Sequence, residues 1–242
     1  MEKRFYRKAQ RPKGFKSFEL TAGQSDVWIA VPKELFSEEL KERLLNRLIE
    51  TRAQIESYIR ENPEFLTSLK PLSDLPPLVP KIVRLMNEGC SRCDVGPMAG
   101  VAGAVNLSLA EELKSSGVEH FIIENGGDVF LSREEPTRLM LLGVRERLGL
   151  EVGSGEWAVA SSSSFIGHSL SLGRSSLATV VSREPVEADC CATYLGNSTG
   201  VEDALRRVEK IADKIGGAVV IIDGKLVAKG SAIKLVPIGR EP

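Results

Sequence analysis

The sequence predicts an α+β protein, with antiparallel strands packed against paired helices. Three observations carry this: paired extended segments near the start, two helical segments after them, and extended segments again in the second half. A strict alternation of strand and helix, which would build a parallel sheet, is missing, and no short-period repeat is found.

Residues 15–31 read as two extended segments, Lys16-Ser17-Phe18-Glu19-Leu20 and Asp26-Val27-Trp28-Ile29-Ala30-Val31, around the turn-prone Thr21-Ala22-Gly23-Gln24. A β-hairpin is the simplest account. From Ser37 the period changes. Leu40, Leu44, Leu45, Leu48, Ile49, Ile55 and Ile59 recur at helical spacing, with Ser37 placed to cap and Pro63 near the end. Pro71, Pro76, Pro77 and Pro80 mark an irregular connection. A second helix over 79–87 leads to the turn Cys90-Ser91-Arg92-Cys93.

Small residues crowd the stretch from Gly96 to Val105, before a helix that continues to Leu113. Such a backbone approaches something closely, either another helix or a ligand. His120-Phe121-Ile122-Ile123-Glu124 is a buried strand ending in Asn125-Gly126-Gly127-Asp128. Further strands are expected over 139–144, 157–160 and 178–181, an amphipathic helix over 201–215, and a hairpin over 217–236. Asp223-Gly224 gives that hairpin a type I′ turn. The chain is read as a single domain, 1–242.

Composition is that of an ordinary globular protein, with 42% hydrophobic and 27% charged residues. A net charge of −1 offers no global field for nucleic acid or an anionic membrane. No apolar run approaches the ~18 residues needed to span a bilayer, and no hydrophobic segment follows the charged start. A cytoplasmic location is therefore expected. Cys90, Cys93, Cys190 and Cys191 are then expected as reduced thiols, not structural disulfides.

The stretch Val186-Glu187-Ala188-Asp189-Cys190-Cys191-Ala192-Thr193 poses the chemical question. If 188–195 is helical, Asp189 and Thr193 share one face. A carboxylate and a hydroxyl are hard oxygen ligands suited to Mg²⁺ or Ca²⁺. The same two residues also suit a helix cap and a hydroxyl bonded back to a carbonyl. Cys90-x-x-Cys93 alone falls short of the four ligands of structural zinc. Neighbouring helical side chains diverge, so Cys190 and Cys191 do not readily face one metal, although the two cysteine pairs could converge.

Four segments, in order, resemble the FAD:protein FMN transferase (ApbE-like) superfamily. They are Met98-Ala99-Gly100-Val101-Ala102-Gly103-Ala104-Val105-Asn106, Asn125-Gly126-Gly127-Asp128, Ser161-Ser162-Ser163-Ser164-Phe165-Ile166-Gly167-His168, and Ala188-Asp189-Cys190-Cys191-Ala192-Thr193. The match spans roughly 95–200 and is similar to a short cytoplasmic branch of that superfamily. The resemblance implies a T-fold-related α+β architecture, in which two pseudo-repeated halves would place the site between them.

It also implies Mg²⁺ held by Asp189, Thr193 and the Ala99 carbonyl, with FAD or FMN as the nucleotide. Gly100, Asn125, Gly126, Gly127, Asp128, Ser162, Ser163 and His168 are the implied cofactor-binding residues, and His168 the implied proton carrier. The implied activity is Mg-dependent cleavage of the FAD pyrophosphate with FMN transfer to an acceptor protein. Two departures stand out. Ser169-Leu170-Ser171-Leu172-Gly173-Arg174 lacks the proline and acidic residue that follow the family histidine, and Gly100-Val101 replaces the family lysine. Members of the branch resemble proteins linked with sulfur amino-acid biosynthesis. The alternative so implied is a flavin-binding thiol, sulfur-transfer or redox protein without transferase activity. A non-catalytic assembly protein is a third reading. The helix after Ser37 is a candidate homodimer surface.

Overall fold

The computed structural model of the chain describes residues 12–141, 148–163 and 173–237. β1 (Phe15–Ala22) and β2 (Ser25–Pro32) form the expected hairpin, paired from Phe15 with Pro32 to Ala22 with Ser25. The chain reverses at Gly23, φ +55°, a left-handed conformation that glycine adopts without steric cost.

α1 (Glu38–Glu61) follows, and Ser37 caps it by accepting the Leu40 N–H on Oγ at 3.0 Å. Its buried ladder is Leu40, Leu44, Leu48, Thr51, Ile55 and Tyr58. Ile49, expected on that face, is 50% exposed, because one residue beyond Leu48 turns ~100° around the axis. Ser37→Ala should lower stability by about 1 kcal/mol in denaturant unfolding, since the Leu40 N–H loses its partner.

α2 (Glu64–Thr67) adds one turn after Pro63 that the periodicity did not announce. α3 (Lys81–Ser91) runs a turn beyond the expected 79–87 and takes Cys90 into the helix. A 3₁₀ turn (Pro97–Gly100) then enters α4 (Val101–Ser115). β3 (Phe121–Asn125) and β4 (Asp128–Arg133) flank a tight turn, with Asn125 opposite Asp128 and Gly126 and Gly127 at φ +70° and +105°. β4 is a strand the sequence reading missed, because its buried Val129-Phe130-Leu131 run carries no alternation.

β5 (Thr137–Met140) begins earlier than the expected 139–144, of which 142–144 lies outside the described residues. β6 (Leu148–Val152), β7 (Gly155–Ser162) and β8 (Ser175–Ser182) precede α5 (Pro185–Gly196) and α6 (Val201–Ile211). β9 (Gly217–Ile222) and β10 (Lys225–Lys229) turn at Asp223 and Gly224, both at positive φ as a type I′ turn requires. The expected hairpin over 217–236 stops there. Gly230, φ +128°, redirects the chain, and β11 (Lys234–Pro237) pairs with β6 instead.

The strands form an antiparallel eight-stranded sheet, β1-β2-β3-β4-β7-β8-β9-β10, and a three-stranded sheet, β11-β6-β5. Strand alternation sorts the large sheet into two faces. Ile29, Phe121, Ile123, Phe130, Ala158, Ala160 and Val180 pack on the helices. Trp28, Ile122, Leu131, Val159, Val181 and Val219 join the core shared with the small sheet. The helices therefore all cover one face, where the candidate site lies. No helix among the described residues is long and apolar enough to cross a membrane.

Candidate functional site

The site is built where α5 crosses the start of α4, above the helix-covered face of the sheet. Glycines make the crossing close. A Cβ on Gly89 would stand 2.6 Å from Val186 Cγ1, and one on Gly100 2.8 Å from Cys190 Sγ. One on Gly103 would overlap the Pro185 carbonyl and lie 2.9 Å from Val186 Cα. The small residues between 96 and 105 therefore answer, at Gly100 and Gly103, to a helix, α5.

This crossing also overturns the expectation of reduced thiols. Cys90 is bonded to Cys190 and Cys93 to Cys191, with Cα separations of 5.1 and 5.6 Å, inside the disulfide range. Expected compartment chemistry argued for free thiols, but sequence does not report proximity, and α3 lies against α5. The two pairs do converge, as cross-links. Beside them Arg92 donates from Nη1 to Glu187 Oε1 at 3.1 Å, while the Ser182 hydroxyl donates to Glu187 Oε2.

Asp189 is half-buried, five residues into α5, whose N-cap is Glu184. It does not cap its own helix. Its Oδ2 accepts the Gly103 N–H at 2.9 Å, and the Ala102 N–H also serves it. These first-turn donors of α4 have no carbonyl partner inside their helix and carry its positive end. Thr193 lies one turn along from Asp189 and is likewise half-buried.

Asp128 arrives from the sheet, at the head of β4 on the same side as Phe130. It is 9% exposed, and its Oδ1 accepts the Ser161 N–H at 2.8 Å. The two carboxyls are hydrogen-bonded to each other. Burial pushes Asp128 up to about 7; the Ser161 N–H and the Asp189 hydrogen bond pull downward, and Glu124 adds to the rise. Asp189 is raised well above the ordinary carboxylate range, first by burial and then by the charge of Asp128, with the Gly103 and Ala102 N–H groups opposing. Two carboxyls buried beside each other mark a place that favours positive charge.

The turn before Asp128 is fixed by Glu124, whose Oε1 accepts the Gly127 N–H at 2.7 Å. No atom lies within 4 Å of where a Cβ would stand on Gly126 or Gly127, so this backbone is open to an approaching molecule. Asn125 is half-buried beside it. Ser162 continues the alternation of Ala158 and Ala160 toward the helices, whereas the Ser163 hydroxyl donates to the Ser176 carbonyl. Gly100 turns its α-carbon toward the Cys90–Cys190 bond. Ala99 sits half-buried in the Pro97–Gly100 turn, and His168 lies outside the described residues, 164–172 being among those not described.

Two features escaped the sequence reading. Asp128 and Asp189 form one carboxylate pair across 61 positions, which only the fold could bring together. Asn106, 1% exposed, donates from Nδ2 to the Asp128 carbonyl at 3.2 Å, while its Oδ1 has no hydrogen-bond partner. An asparagine amid Ala104, Val105 and Leu109 on a buried helix was the available signal.

Among the described residues no group of three or more His, Cys, Asp or Glu side chains could hold a metal. The oxygens gathered here are two carboxyls and, nearby in the chain, the Thr193 hydroxyl and the Ala99 carbonyl. All are hard donors, which suits a hard divalent cation whose remaining positions go to water or phosphate.

An antiparallel α+β protein with a buried carboxyl pair between α4, α5 and β4 is the class that the fold and site define. Solved structures share that fold. Flavin Transferase ApbE from Vibrio cholerae has a TM-score of 0.57 at 16% identity, covering 90% of this chain and 98% of that one. The apbe protein of Thermotoga maritima has a TM-score of 0.58 at 11% identity, covering 90% and 97%. The chain belongs to the family described as AbpE bacteria, whose model matches residues 7–227. Relatives include a UPF0280 protein of Methanococcus maripaludis strain C6, 36% identical over 191 residues, 73% of this chain and 76% of the relative. Another is a UPF0280 protein of Methanothrix thermoacetophila, 35% identical over 205 residues, 80% and 85% of the two chains.

Proposed function

We propose that the protein binds a flavin nucleotide, FAD or FMN, through Mg²⁺ at Asp189, Thr193 and the Ala99 carbonyl, and transfers FMN from FAD to a hydroxyl of an acceptor protein. The observation that carries this is the buried carboxyl pair Asp128–Asp189, where a cation would offset the charge that burial and proximity disfavour. Membership of the family and the fold shared with named flavin transferases support it.

When bound, the cation neutralises charge gathering on the pyrophosphate as the anhydride breaks. The chain's own residues do the rest. Asp189 and Thr193 present oxygens from one face of a helix held rigidly by its neighbours. Asp128 supports Asp189 and is itself held by the Ser161 N–H. The first-turn N–H groups of α4 favour negative charge beside them. The open backbone of Gly126 and Gly127, with Asn125, Ser162 and Ser163, borders the nucleotide, Gly100 lets α5 pack closely behind it, and His168 carries the proton. The protein acts in the cytoplasm as a single domain, with α1 available for a homodimer. Thiol or sulfur-transfer chemistry needs free thiolates; all four cysteines are bonded, so no observation favours it.

The test is calorimetric titration of FAD with Mg²⁺ into wild type and Asp189→Ala. Wild type should bind with an affinity that falls at least about tenfold when Mg²⁺ is omitted, a difference of ~1.4 kcal/mol. Asp189→Ala should lose the Mg²⁺ dependence. Equal binding by both proteins removes the cation from the account.

A further inference from the structure

The four cysteines are a chemically reactive group that the proposed function leaves unused. Their placement relates directly to that site. Cys190 and Cys191 follow Asp189 immediately, so they share its helix, turned ~100° and ~200° from it, and both are buried and bonded to Cys90 and Cys93. Cys90 and Cys93 precede the Pro97–Gly100 turn, with only Asp94, Val95 and Gly96 between Cys93 and that turn. Each bond therefore ties the wall that carries Asp189 and Thr193 to the segment that leads into the wall carrying Ala99, Ala102 and Gly103. The loops they close are long, with sequence separations of 100 and 98. Without the bonds, the seam between α3 and α5 keeps the Arg92–Glu187 ion pair and the glycine packing, and Arg92 is exposed.

We propose that Cys90–Cys190 and Cys93–Cys191 are a thiol–disulfide redox site, reacting with dithiols, whose reduction loosens α5 and weakens the cation and nucleotide site. The inference rests on the reading of Asp189 and Thr193 given above. For each bond, a thiolate of the dithiol attacks one cysteine sulfur and forms a mixed disulfide. The second thiol of the reductant then displaces that sulfur. Two electrons and two protons pass from the dithiol to the protein, leaving two cysteine thiols and an oxidised, cyclic reductant. Cys93 sits in a turn between the exposed Arg92 and Asp94, whereas Cys90 lies inside α3. All four cysteines are buried, so a dithiol reaches them only as the seam opens, and the exposed turn around Cys93 is where the Cys93–Cys191 bond opens first.

The experiment compares the full chain oxidised with diamide and reduced with dithiothreitol. Alkylation and peptide mass spectrometry should find no free thiol in the first, and Cys93 and Cys191 labelled before Cys90 and Cys190 during graded reduction. Free thiols after oxidation overturn the pairing. FAD with Mg²⁺ should bind the reduced form at least about fivefold more weakly, the lower end of ordinary coupling between sites. Hydrogen exchange across 185–196 should rise in parallel. The Cys93→Ser, Cys191→Ser double variant keeps the inner bond as a safeguard of folding and should fall between the two forms. Equal affinity in both redox states with the cation effect intact overturns the redox control and leaves the cation site standing. No cation effect in either state overturns the cation site and the control with it. Unchanged exchange in 185–196 overturns the loosening of α5.

Discussion

Asp189→Asn is expected to stabilise the cation-free protein at pH 8 while abolishing its response to Mg²⁺. In wild type, burial, with Glu124 adding to it, holds Asp128 near 7, and burial with the charge of Asp128 holds Asp189 well above its ordinary value. Both aspartates titrate near 3.9 in the unfolded chain. Between about pH 4 and 7 the unfolded state has lost protons that the folded state still binds, so stability falls as pH rises. The contribution is fully present below about pH 4 and is lost as the pH passes the folded values. The slope is about 1.4 kcal/mol per pH unit for each proton retained, which gives on the order of 4 kcal/mol for Asp128 alone. Asparagine keeps an acceptor for the Gly103 N–H and a donor for Asp128, and carries no charge. Melting temperatures in EDTA from pH 5 to 8 should show the variant overtaking wild type by about 2–4 °C per kcal/mol. Added Mg²⁺ should raise the wild-type midpoint at pH 8 and leave the variant unmoved. A wild type whose gap to the variant stays constant with pH contradicts the raised carboxyl values.

Gly103→Ala is expected to be strongly destabilising. The added Cβ would fall on the Pro185 carbonyl and within 2.6 Å of its carbon, and both sides of that clash are backbone. Neither can swing away as a side chain would. Relief requires α5 to shift as a body, pulling Asp189 from the Gly103 N–H and straining both cross-links. Overpacking of this kind costs about 3 kcal/mol, and about 6–12 °C in a domain of this size. Gly153→Ala is the control, since nothing lies within 4 Å of that position, and it should stay within about 0.5 kcal/mol of wild type. Thermal unfolding of the two variants beside wild type decides the matter. Comparable midpoints would show that α4 and α5 are not in the contact described.

Local signals reported local structure well. Ser37 caps α1, and Asp223-Gly224 makes its tight turn, because each depends on a few neighbouring atoms. The helix carrying Asp189 and Thr193 entered only as a condition over 188–195, which α5 meets, and the glycines of Asn125-Gly126-Gly127-Asp128 were legible as a turn. β4 was not, since a buried strand without alternation leaves no periodic trace, and β6 was missed although Leu148, Leu150 and Val152 alternate with Gly149 and Glu151 over its five residues. Neither was the departure of β11 to a second sheet, because Lys234-Leu235-Val236-Pro237 reads the same whichever partner it pairs with.

The amino-acid order by itself determined the antiparallel α+β class, the long capped helix, the hairpin turns and the four segments that point to one family. Only the tertiary structure decided that Asp128 and Asp189 form one buried pair and that Cys90 and Cys93 meet Cys190 and Cys191. It also decided that Gly100 and Gly103 make room for a helix. The reason is physical. Capping, periodicity and turn chemistry act over a few residues, whereas carboxyl repulsion, sulfur bonding and backbone contact depend on distances between segments that the order of residues does not contain.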